Sequence, residues 1–169
     1  TAFDVDSLDY LSKLDLQLVK IPSGEITNLP FLRKAASLFK EVIISTGMST
    51  MAEISDALDV FLQAGISKQN ITVLHCNTEY PTPMKDVNLL AMLTIKNKFN
   101  VEIGYSDHTL GIEVPIAAVA LGAEIIEKHF TLDKSNTTIR DHTLSSTPEE
   151  FQNLVEIGND INRKIKSGI

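Results

Sequence analysis

Two short motifs late in the chain carry side chains in alternating pairs. Ser106 and His108 alternate in Gly104-Tyr105-Ser106-Asp107-His108-Thr109, and Glu127 and His129 alternate in Glu127-Lys128-His129-Phe130-Thr131. In extended chain, residues two apart share a face, so each imidazole projects on the same side as a hydroxyl or a carboxylate. Two imidazoles from neighbouring segment ends can converge on one divalent ion. With oxygen and water completing the ligand set, Mn, Fe and Zn suit equally. The other reading is a pair of hydrogen-bonded histidines at a polar rim. Three further clusters precede these: Lys20-Ile21-Pro22-Ser23-Gly24-Glu25, Ser45-Thr46-Gly47-Met48-Ser49-Thr50 and His75-Cys76-Asn77-Thr78-Glu79-Tyr80-Pro81. They supply the cation and hydroxyls that an anion's oxygens require. Lys20 stands between Val19 and Ile21, whose burial argues against an idle surface lysine. The serines are equally suited to capping the helices that follow. His75 reads as a core histidine satisfied by hydrogen bonds, His142 as a rim residue and Asp107 as the partner of its own turn. Lys128 faces away from His129 by alternation. Gly24 and Gly47 read as residues of tight turns that bring backbone close to a ligand.

All five clusters lie at the C-terminal edge of a short run rich in Val and Ile: 18–21, 41–45, 71–76, 101–105 and 123–127. Such runs are the signature of buried parallel strands. Segments of helical period separate them at 28–39, 51–64, 86–99, 111–122 and 147–166, with a shorter one at 6–14. Thr50 with Glu53 forms a capping-box pattern. Thr147-Pro148-Glu149-Glu150 gives an N-cap, a proline at the first helical position and acids on the dipole's positive end. The strand ends recur 21 to 31 residues apart, close to the roughly 30 residues of a βα unit in an eight-fold barrel. With Thr1–Asp4 read as the end of a further strand, the 169 residues hold about six of eight βα units. The expected fold is α/β, a partial (β/α)8 TIM barrel forming one catalytic domain over 1–169. An open doubly wound sheet would also fit the length, but the glycine-rich phosphate turn of that class is missing. In a parallel barrel the C-terminal strand ends meet at one mouth, where catalytic groups collect.

Composition excludes several other classes. A formal charge of −7, from 15 Lys+Arg against 22 Asp+Glu, argues against electrostatic binding of nucleic acid. The 43% hydrophobic content provides enough apolar surface to offset chain entropy. The longest apolar-rich stretch, 114–123, falls far short of the roughly 20 residues of a membrane span. No basic segment followed by an apolar run opens the chain. The lone Cys76 has no partner for an internal disulfide, which points to a reducing compartment and a cytoplasmic address.

Taken together, Lys20-Ile21-Pro22-Ser23-Gly24-Glu25, the run from Leu74 to Pro83, Gly104–Thr109 and Glu127–Thr131 resemble the barrel motifs of the N-acetylneuraminate (sialic acid) synthases, in the family's order and spacing. The resemblance extends from Thr1 to about Phe151. It implies a transferase that condenses phosphoenolpyruvate with an N-acetylated sugar aldehyde, N-acetylmannosamine or a related amino sugar. The products would be a nonulosonic acid, sialic or legionaminic, and phosphate. It further implies a divalent cation, usually Mn2+, and a homodimer of the complete protein. Two earlier barrel strands and a C-terminal antifreeze-like domain complete family members, so the 169 residues are expected to be a central part of the catalytic barrel.

By the same resemblance His108 and His129 are catalytic residues and the metal ligands. Glu127 stands behind them, holding a metal-bound water or orienting a histidine. Lys20, Ser23, Ser45 and Ser106 contact phosphoenolpyruvate, together with Thr1 and Thr78. Glu25 matches a catalytic carboxylate, Tyr80 a residue that packs on the sugar, and Asp141 a substrate-binding aspartate. The family has Gly-Pro before that aspartate where this chain has Ile139-Arg140. The rival readings are another phosphoenolpyruvate-dependent aldol-type synthase, a phosphate-binding barrel isomerase or lyase, and a non-catalytic interaction module.

Overall fold

The structure is a computed structural model that describes residues 1–135 and 138–167. Five strands form one parallel sheet in chain order: β1 Leu18–Ile21, β2 Glu41–Ser45, β3 Ile71–Cys76, β4 Glu102–Asp107 and β5 Ile125–Lys128. Each strand is followed by a helix: α2 Leu29–Leu38, α3 Met51–Gln63, α4 Leu90–Phe99, α5 Glu113–Ala120 and α6 Pro148–Lys166, while α1 Val5–Ser12 precedes β1. A strictly sequential order makes every crossover step the same way, so the helices share one face of the sheet. A doubly wound sheet reverses direction and carries helices on both faces. The observed order is that of a half-barrel.

The alternation of each strand sorts the two faces. Val19, Ile21, Val42, Ile44, Ile71, Val73, Ile103 and Tyr105 are buried against the helices. There they meet Leu8, Phe31, Leu32, Ala35, Ile54, Ala57, Phe61, Met92, Ile95 and Ala118 in one core. Burying each of the larger side chains contributes about 1.5–3 kcal/mol. The residues between them face the concave side and are more polar.

The cap signals form as expected. Thr50 and Glu53 make a reciprocal capping box at α3, and Thr147 and Glu150 make another at α6. Two expectations are corrected. The partial barrel has five βα units, not six, because Thr1–Asp4 forms no strand. Asp4 instead caps α1, its carboxylate accepting from the Ser7 N–H at 2.7 Å. Helix α4 starts at Leu90 rather than 86, since Asn88 has φ of 43° and Met84–Asp86 is a separate 3-10 turn. Gly24 sits in a 3-10 turn, and a Cβ built there would meet no protein atom within 4 Å.

Gly104 is different. A Cβ on it would stand 2.4 Å from the Ile125 carbonyl oxygen and 2.5 Å from Leu74 Cδ2. The backbone neighbour cannot move without parting β4 from β5. Gly104→Ala in the full-length protein is therefore expected to lower the unfolding free energy by about 1–3 kcal/mol. Gly24→Ala is expected to stay within about 0.5 kcal/mol of the parent. Urea unfolding monitored by circular dichroism measures both.

Candidate active site

Strand register stacks the concave side chains in layers. Ser45, Leu74, Gly104 and Ile125 are register partners in one layer, and Cys76, Ser106 and Glu127 in the next. Just beyond the ends of β4 and β5 come His108 and His129. A cleft of about 470 Å³ opens here. Its wall contains Lys20, Ser23, Gly24, Ser45, Thr78, Tyr80, Ser106, His108, Glu127 and His129 from among the expected residues, together with Phe3, Pro22, Met48 and Cys76. Three expected residues are not brought into that wall. Thr1 is exposed at the chain's beginning. Glu25 lies in the 3-10 turn after β1 and accepts from Asn28 Nδ2 at 2.8 Å. Asp141 stands at the rim, its Oδ2 3.5 Å from His129 Nδ1.

The two imidazoles do meet. Their ring centroids are 5.2 Å apart at an interplanar angle of 72°. Tyr80 stacks on His108 at 4.0 Å and presents an edge to His129 at 5.7 Å. His108 Nδ1 lies 2.6 Å from the Asn77 carbonyl oxygen. A carbonyl only accepts, so Nδ1 carries the proton and Nε2 holds the lone pair of the neutral ring. Burial lowers the His108 pKa below the usual histidine value, outweighing the raising effect of that hydrogen bond, and the neighbouring His129 lowers it further. The ring is thus kept neutral. The carbonyl behind His108 and the carboxylate near His129 Nδ1 are the kind of partner that orients a ligating histidine.

Below the rings, Lys20 Nζ donates to both oxygens of Glu127 at 2.8 and 2.7 Å, and Ser106 Oγ donates to Glu127 Oε1 at 2.7 Å. The Lys20 side chain is 15% exposed, so its charge is held inside the cleft. Burial alone would raise the Glu127 pKa. The hydrogen bonds and charge of Lys20, with the Ser106 hydroxyl, overcome this and hold it below the ordinary value of 4.5. Ser23 Oγ accepts from the Gly47 N–H at 2.9 Å. Gly47 is needed for close approach, since a Cβ there would stand 2.6 Å from Thr78 Cγ2. Ser45 Oγ is buried with no hydrogen-bond partner among the described residues.

His75 behaves as a core histidine, its Nε2 2.9 Å from the Val87 carbonyl oxygen and its pKa pushed down by burial. His142 is not in the cleft wall, and its Nδ1 lies 2.8 Å from Thr131 Oγ1. Asp107 accepts from the Thr109 N–H and Oγ1, as expected of a turn-forming aspartate. Sequence reasoning missed two features. Cys76 Sγ lies 3.9 Å from His108 Nδ1, its thiol pKa raised by burial. Its place as the strand-end partner of Ser106 was the available signal. Lys128, set aside as facing away from the mouth, forms a fully buried ion pair with Asp107 at 2.6 Å.

A parallel half-barrel with paired imidazoles and a half-buried lysine at its C-terminal mouth places the chain in the (β/α)8-barrel class of folds, in which polar groups collect at the strand-end loops. Residues 1–169 match the NeuB family throughout, and the chain belongs to that family, the sialic acid synthases. It is 52% identical over 169 residues to an N,N'-diacetyllegionaminic acid synthase of Campylobacter jejuni, covering 100% of this chain and 50% of that protein. It is 43% identical over 155 residues to an N-acetylneuraminate-9-phosphate synthase of Drosophila melanogaster, covering 91% and 41%. The crystal structure of an N-acetylneuraminic acid synthetase of Leptospira borgpetersenii in complex with citrate superposes with a TM-score of 0.91 at 40% identity, covering 99% of this chain and 57% of that one. The chain therefore spans about half the length of the curated relatives it matches.

The depressed Glu127 pKa makes a signed prediction. Its ion pair stabilises the fold above the ordinary carboxylate value of 4.5, and the contribution is lost as pH falls through the lower folded value. The thermal midpoint of full-length protein should exceed that of Glu127→Gln at neutral pH. The gap should close progressively below about pH 4.5, measured by calorimetry across a pH series. A gap that stays constant down to acid unfolding would reject the assignment.

Proposed function

We propose that the complete protein condenses phosphoenolpyruvate with the open-chain aldehyde of an N-acetylated amino sugar, consuming water and releasing phosphate, to give a nonulosonic acid. The observation that carries this reading is the convergence of His108 and His129 over Lys20, Ser45, Ser106 and Glu127 in one cleft of a NeuB-family half-barrel. The C3 carbon of phosphoenolpyruvate forms the new bond to the aldehyde carbon. Water adds at C2, and the C2–O bond to phosphate breaks. Atoms balance, and no redox partner is needed.

The donor set suits a divalent cation. His108 and His129 would hold it, each with Nδ1 turned towards a carbonyl or carboxylate oxygen. Among the described residues no group of three or more His, Cys, Asp or Glu is placed to bind a metal, so water and substrate oxygen would fill the remaining positions. When bound, the cation would polarise the aldehyde as a Lewis acid, and manganese is the ion that the resemblance implies. The chain's own residues do the rest. Lys20 and the Ser45 hydroxyl meet the donor's anionic oxygens. Glu127 fixes Lys20 and Ser106 in place, which limits reorganisation when charge moves. Tyr80 stacks on His108 and offers its remaining ring surface to the sugar. Glu25 and Asp141, at the rim rather than in the wall, suit contact with the distal sugar hydroxyls. The reading carries a homodimer and a cytoplasmic address with it. No helix among the described residues is long and apolar enough to cross a membrane.

Phosphate release by the full-length protein tests the proposal, with phosphoenolpyruvate, Mn2+ and N-acetylmannosamine or related N-acetylated aldehydes offered in turn. Chelation is expected to abolish turnover and Mn2+ to restore it. His108→Ala is expected to raise the barrier by about 3 kcal/mol or more, roughly two orders of magnitude in kcat. A chelated enzyme or a His108→Ala variant that keeps the parent rate would overturn the reading.

A further inference from the structure

The residues immediately before the two histidines, Asp107 and Lys128, are Cα register partners across β4 and β5. Both side chains are buried, at 0% and 1% exposure, and face away from the cleft. Lys128 Nζ donates to Asp107 Oδ2 at 2.6 Å and to the Thr109 carbonyl at 2.9 Å. Asp107 Oδ1 takes the Thr109 N–H at 3.0 Å and its hydroxyl at 2.8 Å. Thr109, the residue after His108, is therefore held at both its N–H and its carbonyl by this one pair. Two further ties complete the frame: the Thr82 N–H donates to the His108 carbonyl at 2.9 Å, and the Ser146 N–H donates to the His129 carbonyl at 2.7 Å.

A buried ion pair is a poor device for stability, because desolvating two charges offsets most of their attraction. Its strength is directional. It fixes where two backbones stand relative to one another, and here each backbone carries an imidazole on the next residue. We infer that Asp107 and Lys128 are positioning residues, a strut behind the cleft that sets the separation and relative orientation of the His108 and His129 rings. The inference rests on the proposed function only for its consequence in metal binding. The ring geometry itself depends on neither metal nor substrate.

The test uses the full-length protein with Asp107→Asn/Lys128→Met, which removes both buried charges and keeps an acceptor for the Thr109 N–H. Crystal structures of the metal-free parent and variant should show the ring-centroid separation changed by more than about 1 Å, against 5.2 Å here. Titration of free Mn2+ by electron paramagnetic resonance should show affinity reduced tenfold or more. The value of kcat should fall by at least as much, with the KM for phosphoenolpyruvate within about threefold. Lys128→Arg, which keeps the charge, should recover most of the metal affinity. If the double variant does not fold, Asp107→Asn alone carries the same readouts. Unmoved rings with parent Mn2+ affinity would overturn the inference and reduce the pair to a structural one. A parent protein that neither binds Mn2+ nor turns over would instead overturn the proposed function, and the ring separation would still decide this inference.

Discussion

Everything at the mouth depends on in-register parallel pairing of five strands. Because β2, β3, β4 and β5 present Ser45, Leu74, Gly104 and Ile125 as one layer, the layer above can hold Cys76, Ser106 and Glu127, and the residues just past the strand ends can hold the two imidazoles. A slip of one residue in any strand would exchange its concave and convex faces. In β4 that slip would bury Ser106 among the helices and send Tyr105 into the cleft. The apolar convex faces prevent this, since moving them to the concave side would lose most of the core.

The same alternation creates two electrostatic tiers with different tasks. On the concave side, Lys20 and Glu127 pair where a ligand can reach them, and a bound anion would meet a lysine already held in place. On the convex side, Asp107 and Lys128 pair where nothing can reach them. The open tier suits binding, and the sealed tier suits geometry. One residue of register separates them along β5, from Glu127 to Lys128.

The burial of His108 belongs to this scheme. Burial disfavours the imidazolium more than the hydrogen bond to the Asn77 carbonyl favours it, so the ring stays a neutral donor. His129 is more open and faces a carboxylate at the rim. The two rings therefore stand in different environments, and the asymmetry comes from the loops above the strands rather than from the strands themselves.

Much of this was legible in the chain. Runs of Val and Ile at barrel-like intervals determined five strands, and the Thr50–Glu53 and Thr147–Glu150 patterns determined two helix starts, because these signals act over a few residues. Polar clusters at the strand ends marked the mouth for the same reason. What the linear pattern left open needed contacts between distant segments. Thr1–Asp4 looked like a strand end, yet an Asp4 side chain reaching Ser7 made it a helix cap. Glu25 lay in a conspicuous motif, but the turn after β1 ties it to Asn28 outside the cleft wall. Lys128 was read correctly as facing away from the cleft, and its importance was missed because only the pairing of β4 with β5 supplies Asp107 as its partner. Local sequence thus determined which elements form and which residues could do chemistry. Tertiary packing alone decided which of those residues meet, since a hydrogen bond or ion pair between residues 20 and 127, or 107 and 128, exists only once the sheet has brought them together.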